Sequence, residues 1–285
     1  MAAPPPHPDE LSGLVERARA GDAGALDALI RAVEGDVYNL SVRMLWHPAE
    51  PQDASQEILL KVVTHLANFR GESAFRTWVF RVATNYLLSV RRSRAEREEL
   101  TFARFGEQLA EGLSEPPASA ASDPDQALLV DEVKIGCTQG MLLCLDRGHR
   151  LAYVLGDLFG LESGLAAEVL EITPAAFRKR LSRARSHLRA FMRVHCGLVS
   201  EYAACRCARR VQRAVEVGRV TPGALLFAGR NERRPRALPV LEEVREMEEL
   251  HDVAAIYRSH PDYAAPERLL EGVRRLVRTR RYRVL

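Results

Sequence analysis

Apolar residues recur along most of this chain at steps of three and four, and no run keeps a period-two alternation, a pattern that predicts an all-α protein. The first helices are expected from about Glu10 to Ala20, Asp22 to Trp46, Asp53 to Ala67 and Ala74 to Arg92, forming one bundle. Pro48 and Pro51 break the second from the third, and Ser73 is the expected N-cap of the fourth. In that fourth helix Phe75, Val79, Val82, Ala83, Tyr86 and Val90 form the expected core stripe. Trp78, Arg81, Asn85, Ser89 and Arg92 line a neighbouring side.

From Glu96 to Asp125 the pattern lapses into Glu, Ala, Ser and Pro. Glu96, Glu98, Glu99, Glu107, Glu111, Glu115, Asp123 and Asp125 stand there against only Arg97 and Arg104, which predicts a mainly flexible acidic linker. A second helical group runs from Gln126 to Val194 and closes on EVLEITPAAFRKRLSRARSHLRAFM, which reads as helix, turn, helix. Thr173 can cap the last helix, and Pro174 stands at its first position, where a missing N–H costs nothing. Phe177, Leu181, Ala184, Leu188 and Phe191 share one narrow stripe, while Lys179, Ser182, Arg183, Ser186, Arg189 and Arg193 point broadly the other way.

With 285 residues, 47% of them hydrophobic and 28% charged, the chain can bury two or three modest cores. No stretch approaches a membrane span of roughly 18 apolar residues. The opening MAAPPPHPDE lacks the basic start and apolar middle of a signal peptide, so a cytoplasmic protein is expected, with no membrane partner. Five cysteines, at 137, 144, 196, 205 and 207, do not resemble a disulfide framework. A formal charge of +3 says little, because acidic segments offset basic ones.

The distribution of charge is more informative. From Pro174 to Arg193 there is no acidic residue, and a capped helix with such a face suits a major groove, its arginines meeting phosphates on either side. A solvated amphipathic helix is the plainer alternative. In FRGESAFRTWVFRVATNYLLSVRR an aromatic, an amide and arginines fall in a row, which suits single-stranded DNA: a stacking surface, hydrogen bonds to base edges and phosphate neutralisation. Core packing is the competing reading of Trp78. No nucleophile with its base, phosphate loop or paired carboxylates stands out, so an enzyme is not expected.

Both stretches resemble the second and fourth regions of the bacterial sigma-70 family, in its minimal extracytoplasmic-function branch, over about Asp22 to Val194. QDASQEILLKVVTHLANFRGESAFRTWVFRVATN resembles the second region, and HRLAYVLGDLFGLESGLAAEVLEITPAAFRKRLSRAR the fourth. The resemblance implies a sigma factor that binds core RNA polymerase, helps melt promoter DNA and directs initiation, with an anti-sigma factor as a further candidate partner. It implies a region 2 bundle over 9–94, the acidic linker over 95–125, the region 4 helix-turn-helix over 126–194 and an extension over 195–285.

The implied polymerase face holds Asp53, Gln56 and Glu57. With Trp78 and Arg81 from the residue pattern, the minus-ten set is Phe69, Arg70, Gly71, Glu72, Ser73, Trp78, Arg81 and Asn85. The minus-thirty-five set is Thr173, Pro174, Ala175, Arg178, Lys179, Ser182, Arg183, Ser186 and Arg189. Two positions depart from the family pattern. Gln52 stands where an acid usually precedes the matched aspartate, and Glu171 stands where a turn glycine is common. A conventional helix-turn-helix regulator is the alternative function, but it leaves Phe69 to Arg92 and the linker unexplained.

The stretch from His195 to Leu285 is an addition to the minimal pattern, expected to be mainly helical. His195, Cys196, Cys205 and Cys207 form a candidate site for zinc or monovalent copper, though no cofactor is required by the family resemblance. Reduced thiols beside Arg206, Arg209 and Arg210, extending a DNA or polymerase contact surface, are the competing reading. Cys137 and Cys144 are expected in the core. Leu241, Val244, Met247, Leu250, Ala254 and Tyr257 suggest a helix packed on another around Pro266 to Arg278.

Overall fold

A computed structural model describes residues 8–45, 49–90, 100–116, 123–228 and 248–278. Among them every regular element is helical. Trp46, Pro48, Arg92, Glu96 to Glu99, Leu241, Val244 and Met247 lie outside the described residues, as does the side chain of Leu250. The helices are α1 (Pro8–Arg19), α2 (Ala23–Met44), α3 (Ala49–Thr64), α4 (Phe75–Ser89), α5 (Phe102–Ala110) and α6 (Pro124–Leu143). They continue with α7 (Arg147–Tyr153), α8 (Ser163–Val169), α9 (Pro174–His195), α10 (Cys207–Glu216), α11 (Glu248–Arg258) and α12 (Glu267–Arg278). None of these is long and apolar enough to cross a membrane.

Local chemistry sets many of the starts. Asp22 caps α2 by accepting the Gly24 and Ala25 N–H groups at 2.8 and 3.0 Å, after Gly21 turns the chain at a φ of 93°. Asp123 caps α6 with Pro124 behind it, and Asp146 caps α7 through the His149 N–H. The start of α4 differs from expectation. Ala74, not Ser73, stands at its N-cap and makes no side-chain bond.

Packing divides the chain into two compact units. The first draws on 1–91, 163–174 and 263–285, and the second on 92–162 and 175–262. In the first, α1 to α4 build a core around Leu29, Leu40, Ile58, Leu59, Ala83 and Leu87, all 1% exposed or less. α8 packs on α4 and α12 on α3. The buried side of α4 is rotated from the expected stripe: Phe80, Thr84 and Leu87 are buried, while Val82, Tyr86 and Val90 are half-buried. The full buried set is Phe75, Thr77, Val79, Phe80, Ala83, Thr84 and Leu87, the wider buried face that a helix shows when neighbours flank it.

In the second unit α10 packs on α6 through Leu129, Val133, Val211 and Ala214, and Val220, beyond the end of α10, joins their cluster. Buried Arg150 donates to the carbonyls of Leu142, Leu143 and Leu145, satisfying the C-terminal end of α6. The buried Glu132 carboxylate accepts the N–H groups of Leu226, Phe227 and Ala228 at 2.7 to 2.9 Å, which pins that segment. α11 packs on the π-helical turn Val154–Leu158, with Tyr257 against Tyr153 at 5.5 Å. Of the two helices expected near the C-terminus, α11 belongs to the second unit and α12 to the first.

The expected linker is helical in part. Phe102, Phe105 and Leu109 recur at steps of three and four on α5, where Phe105 and Leu109 are buried and Phe102 and Phe105 lie 5.1 and 5.8 Å from Phe191. Three large apolar residues at helical spacing outweigh the acids around them.

Candidate nucleic-acid interface

α9 realises the sequence pattern most fully. Phe177, Leu181, Ala184, Leu188 and Phe191 are all buried, and Met192 joins them. Gly156 lets the helix seat closely, since a Cβ there would meet Leu181 Cδ2 at 2.9 Å. Opposite that seam, Thr173, Pro174, Ala175, Arg178, Lys179, Ser182, Arg183 and Ser186 are exposed and Arg189 is half-buried. Ser182, Arg185, Ser186, Arg189, Ala190 and Arg193 line a shallow groove of about 440 Å³.

Arg185 plays a different part from its neighbours. Its guanidinium grips the Asp157 carboxylate, Nε to Oδ2 at 2.9 Å and Nη2 to Oδ1 at 2.5 Å. Asp157 is buried, so the pair ties α9 to the π-helical turn, and the hydrogen bond to Asp157 raises the Arg185 pKa.

The turn before α9 ends α8 in a left-handed residue. Glu171 has a φ of 53°, the Ile172 N–H donates to the Ala167 carbonyl at 3.0 Å, and the Glu171 N–H donates to Glu168 at 3.2 Å. These are the two bonds of a Schellman close, normally built on glycine. The turn thus keeps the geometry that glycine would favour.

At the start of α4 three aromatic residues form a cluster. Phe69, Phe75 and Trp78 have ring centroids 5.5 to 5.9 Å apart, with Phe69 and Phe75 buried and Trp78 half-buried. Arg70, Gly71 and Glu72 are exposed in the preceding loop, where Gly71 takes a φ of 75°, and Ser73 is half-buried. Asn85 is exposed. Arg81 donates to Glu168 of α8 at 2.9 Å, and Thr84 Oγ1 lies 3.4 Å from the Val169 carbonyl. A carboxylate of the same chain therefore holds a guanidinium expected to meet phosphate.

α3 presents Asp53 and Glu57 to solvent, while Gln56 is half-buried. Tyr86 of α4 lies beside them. Burial raises its phenol pKa first, and the Glu57 and Asp53 carboxylates raise it further.

His195, Cys196, Cys205 and Cys207, together with Cys137, help line one cavity of about 20 Å³. Among the described residues no group of three or more His, Cys, Asp or Glu side chains is arranged to hold a metal ion. The His195 ring packs against Phe191, centroids 4.6 Å apart and tilted by 32°, and lies against Gly106, where a Cβ would come within 2.8 Å of it. Burial pushes the Cys144 and Cys207 thiols up to about 12. The neighbouring arginines are engaged as well: Arg206 and Arg210 donate to backbone carbonyls, and Arg209 pairs with Glu115 at 2.5 Å. Of the three, Arg210 is buried, Arg209 is half-buried and Arg206 is exposed.

Residues 29–97 match the family described as Sigma-70 region 2. RNA polymerase sigma-H factor of Pseudomonas aeruginosa is 33% identical over 174 residues, 60% of this chain and 88% of that protein. ECF RNA polymerase sigma factor SigE of Mycolicibacterium smegmatis is 27% identical over 199 residues, covering 68% of this chain and 73% of its own length. ECF RNA polymerase sigma-E factor of Escherichia coli K12 is 28% identical over 176 residues, 60% of this chain and 88% of that protein.

Proposed function

We propose, from the premise that this chain belongs to the extracytoplasmic-function branch of the sigma-70 family of RNA polymerase sigma factors, a division of labour among its exposed faces. The chain is a transcription initiation factor and not an enzyme; its partners are core RNA polymerase and promoter DNA. We assign Asp53, Gln56 and Glu57 to polymerase binding. Residues 69–73 with Trp78, Arg81 and Asn85 serve the melted minus-ten element. α9, through Thr173 to Arg189, serves the minus-thirty-five duplex.

The observation that carries the DNA assignment is the two-sidedness of α9, a fully buried apolar seam behind an exposed basic face that contains no acid. Its N-terminal turn can enter a major groove while the arginines meet phosphates. Phe69 and Phe75 are buried, so their role is to support Trp78, the half-exposed ring available to a base.

The place of work is with core polymerase in the cytoplasm. An anti-sigma factor would have to compete for the same faces. The Cys137, Cys196, Cys205 and Cys207 cluster is read as protonated thiols lining a small cavity, in preference to a zinc or copper site; the packing of His195 against Phe191 supports this.

Gel filtration of the chain with core polymerase tests the reading. Wild type should co-elute with the enzyme. The Asp53→Ala, Gln56→Ala double variant should lose affinity while its circular dichroism melt is unchanged. A folded double variant with unaltered affinity overturns the α3 assignment, and a chain that binds duplex DNA but never polymerase favours a conventional regulator.

A further inference from the structure

We propose that α12 is a built-in competitor for the polymerase-binding surface, lying along α3 in the free chain and leaving when core polymerase binds. This rests on the assignment of Asp53, Gln56 and Glu57 to that surface.

The segment comes from far along the chain, yet it packs beside residues within the first hundred. Leu269, Leu270 and Val273 form its apolar side and are buried. Gly272 stands at the closest approach. A Cβ there would meet Gln56 Nε2 at 3.0 Å and Cδ at 3.2 Å, so the absent side chain lets the helix backbone lie on the glutamine. Arg274 reaches α2 and donates to Asp27 at 2.6 Å. Just before α12, buried Asn39 accepts the Tyr263 N–H at 2.9 Å and donates to the Tyr263 carbonyl at 3.0 Å, with Arg43 over the tyrosine ring at 5.1 Å.

Three features make this a clasp and not a permanent layer. The bundle of α1 to α4 has its own core, and the family match, over residues 29–97, does not include α12. The Arg274–Asp27 pair is about one-third exposed on both sides, a setting in which ion pairs are weak and screened. Asp27 also accepts from Arg31 at 2.9 Å and keeps a partner when Arg274 departs.

The occlusion is selective. Asp53 and Glu57 remain open to solvent while Gln56 is half-buried, its amide against Gly272. A partner that must engage all three can meet the two carboxylates first but cannot seat until Gly272 lifts away. The apparent affinity of such a surface is its intrinsic affinity reduced by the fraction of open chains.

Two full-length variants release the clasp by different means: Arg274→Glu, which faces Asp27 with a like charge, and the Leu269→Asp, Val273→Asp pair, which removes the apolar seam. Dissociation constants for core polymerase, measured by fluorescence anisotropy, should fall a few-fold in Arg274→Glu, which loses only a part-exposed ion pair, and at least about tenfold in the Leu269→Asp, Val273→Asp chain. The melting transition of the bundle should persist. Adding Asp53→Ala and Gln56→Ala to the Arg274→Glu chain should abolish the gain. In wild type, hydrogen exchange of the α12 amides should be slow in the free protein and fast in the holoenzyme.

If neither release variant gains affinity while Asp53→Ala, Gln56→Ala still weakens binding, the clasp is wrong and the α3 assignment stands. If those alanines have no effect in either background, the α3 assignment falls and the clasp with it. Amides of α12 that stay equally protected in the holoenzyme overturn the clasp alone.

Discussion

Arg81 of α4 and Glu168 of α8 form an ion pair at 2.9 Å, so a guanidinium on the face assigned to melted DNA is already neutralised within the chain. Phosphate must displace the carboxylate before it can use that arginine. Both side chains are partly exposed, which limits the pair to about 0–1 kcal/mol. Glu168→Gln should therefore tighten binding of single-stranded minus-ten DNA by the holoenzyme a few-fold, and Arg81→Ala should weaken it. Anisotropy with a labelled oligonucleotide provides the check; equal affinities for all three proteins would remove Arg81 from the interface.

Arg183 and Arg185, two residues apart on α9, should separate DNA binding from stability. Arg183 is exposed, and Arg183→Ala should weaken duplex binding, lower the salt slope by about one unit and leave the melting temperature alone. Arg185→Ala strands the buried Asp157 carboxylate and should cost about 1–3 kcal/mol of stability. Salt-dependent anisotropy and thermal melts on both variants make the comparison.

Glu171 pays for its left-handed conformation about 1–2 kcal/mol relative to a residue that tolerates it. Glu171→Gly removes that strain and offsets it with about 0.5–1 kcal/mol of unfolded-chain entropy, so the variant should be neutral to slightly more stable. Glu171→Val should be clearly less stable, because a β-branched residue fits the turn worst. Urea unfolding of the pair gives the ordering, and a destabilised glycine variant would contradict it.

Cys144 and Cys207 carry thiols pushed up to about 12, by burial first. A group that holds its proton more tightly when folded contributes stability below its unfolded value of about 8.5 and loses it as pH rises from there toward the folded value. The melting temperature should therefore decline between about pH 8.5 and 10, and less so in a Cys144→Ala, Cys207→Ala protein. At pH 8 both thiols should react with iodoacetamide far more slowly in the native chain than in urea. Rapid native alkylation would place them at the surface.

The sequence by itself determined the helical class, the seam of α9 and several helix starts, because caps and periodicity involve residues no more than four apart. Phe177, Leu181, Ala184, Leu188 and Phe191 are buried as their spacing required, and Glu171 keeps the turn that the pattern around it demands. The same reasoning, applied to Phe102, Phe105 and Leu109, would have found α5 inside the acidic stretch had composition not been weighed above spacing. On α4, periodicity alone could not choose between adjacent apolar stripes, and the neighbours that bury Phe80 and Leu87 made the choice. Only the tertiary structure decided which charges are spent. Arg81, Arg185, Arg210 and Arg274 look alike in sequence to the arginines that remain exposed, and each is claimed by a carboxylate or carbonyl brought from 28 to 247 residues away. The same holds for α12 on α3. An amphipathic helix encodes that it will bury one side, whereas the surface that receives it is set by the competition among all the apolar faces the folded chain has left open.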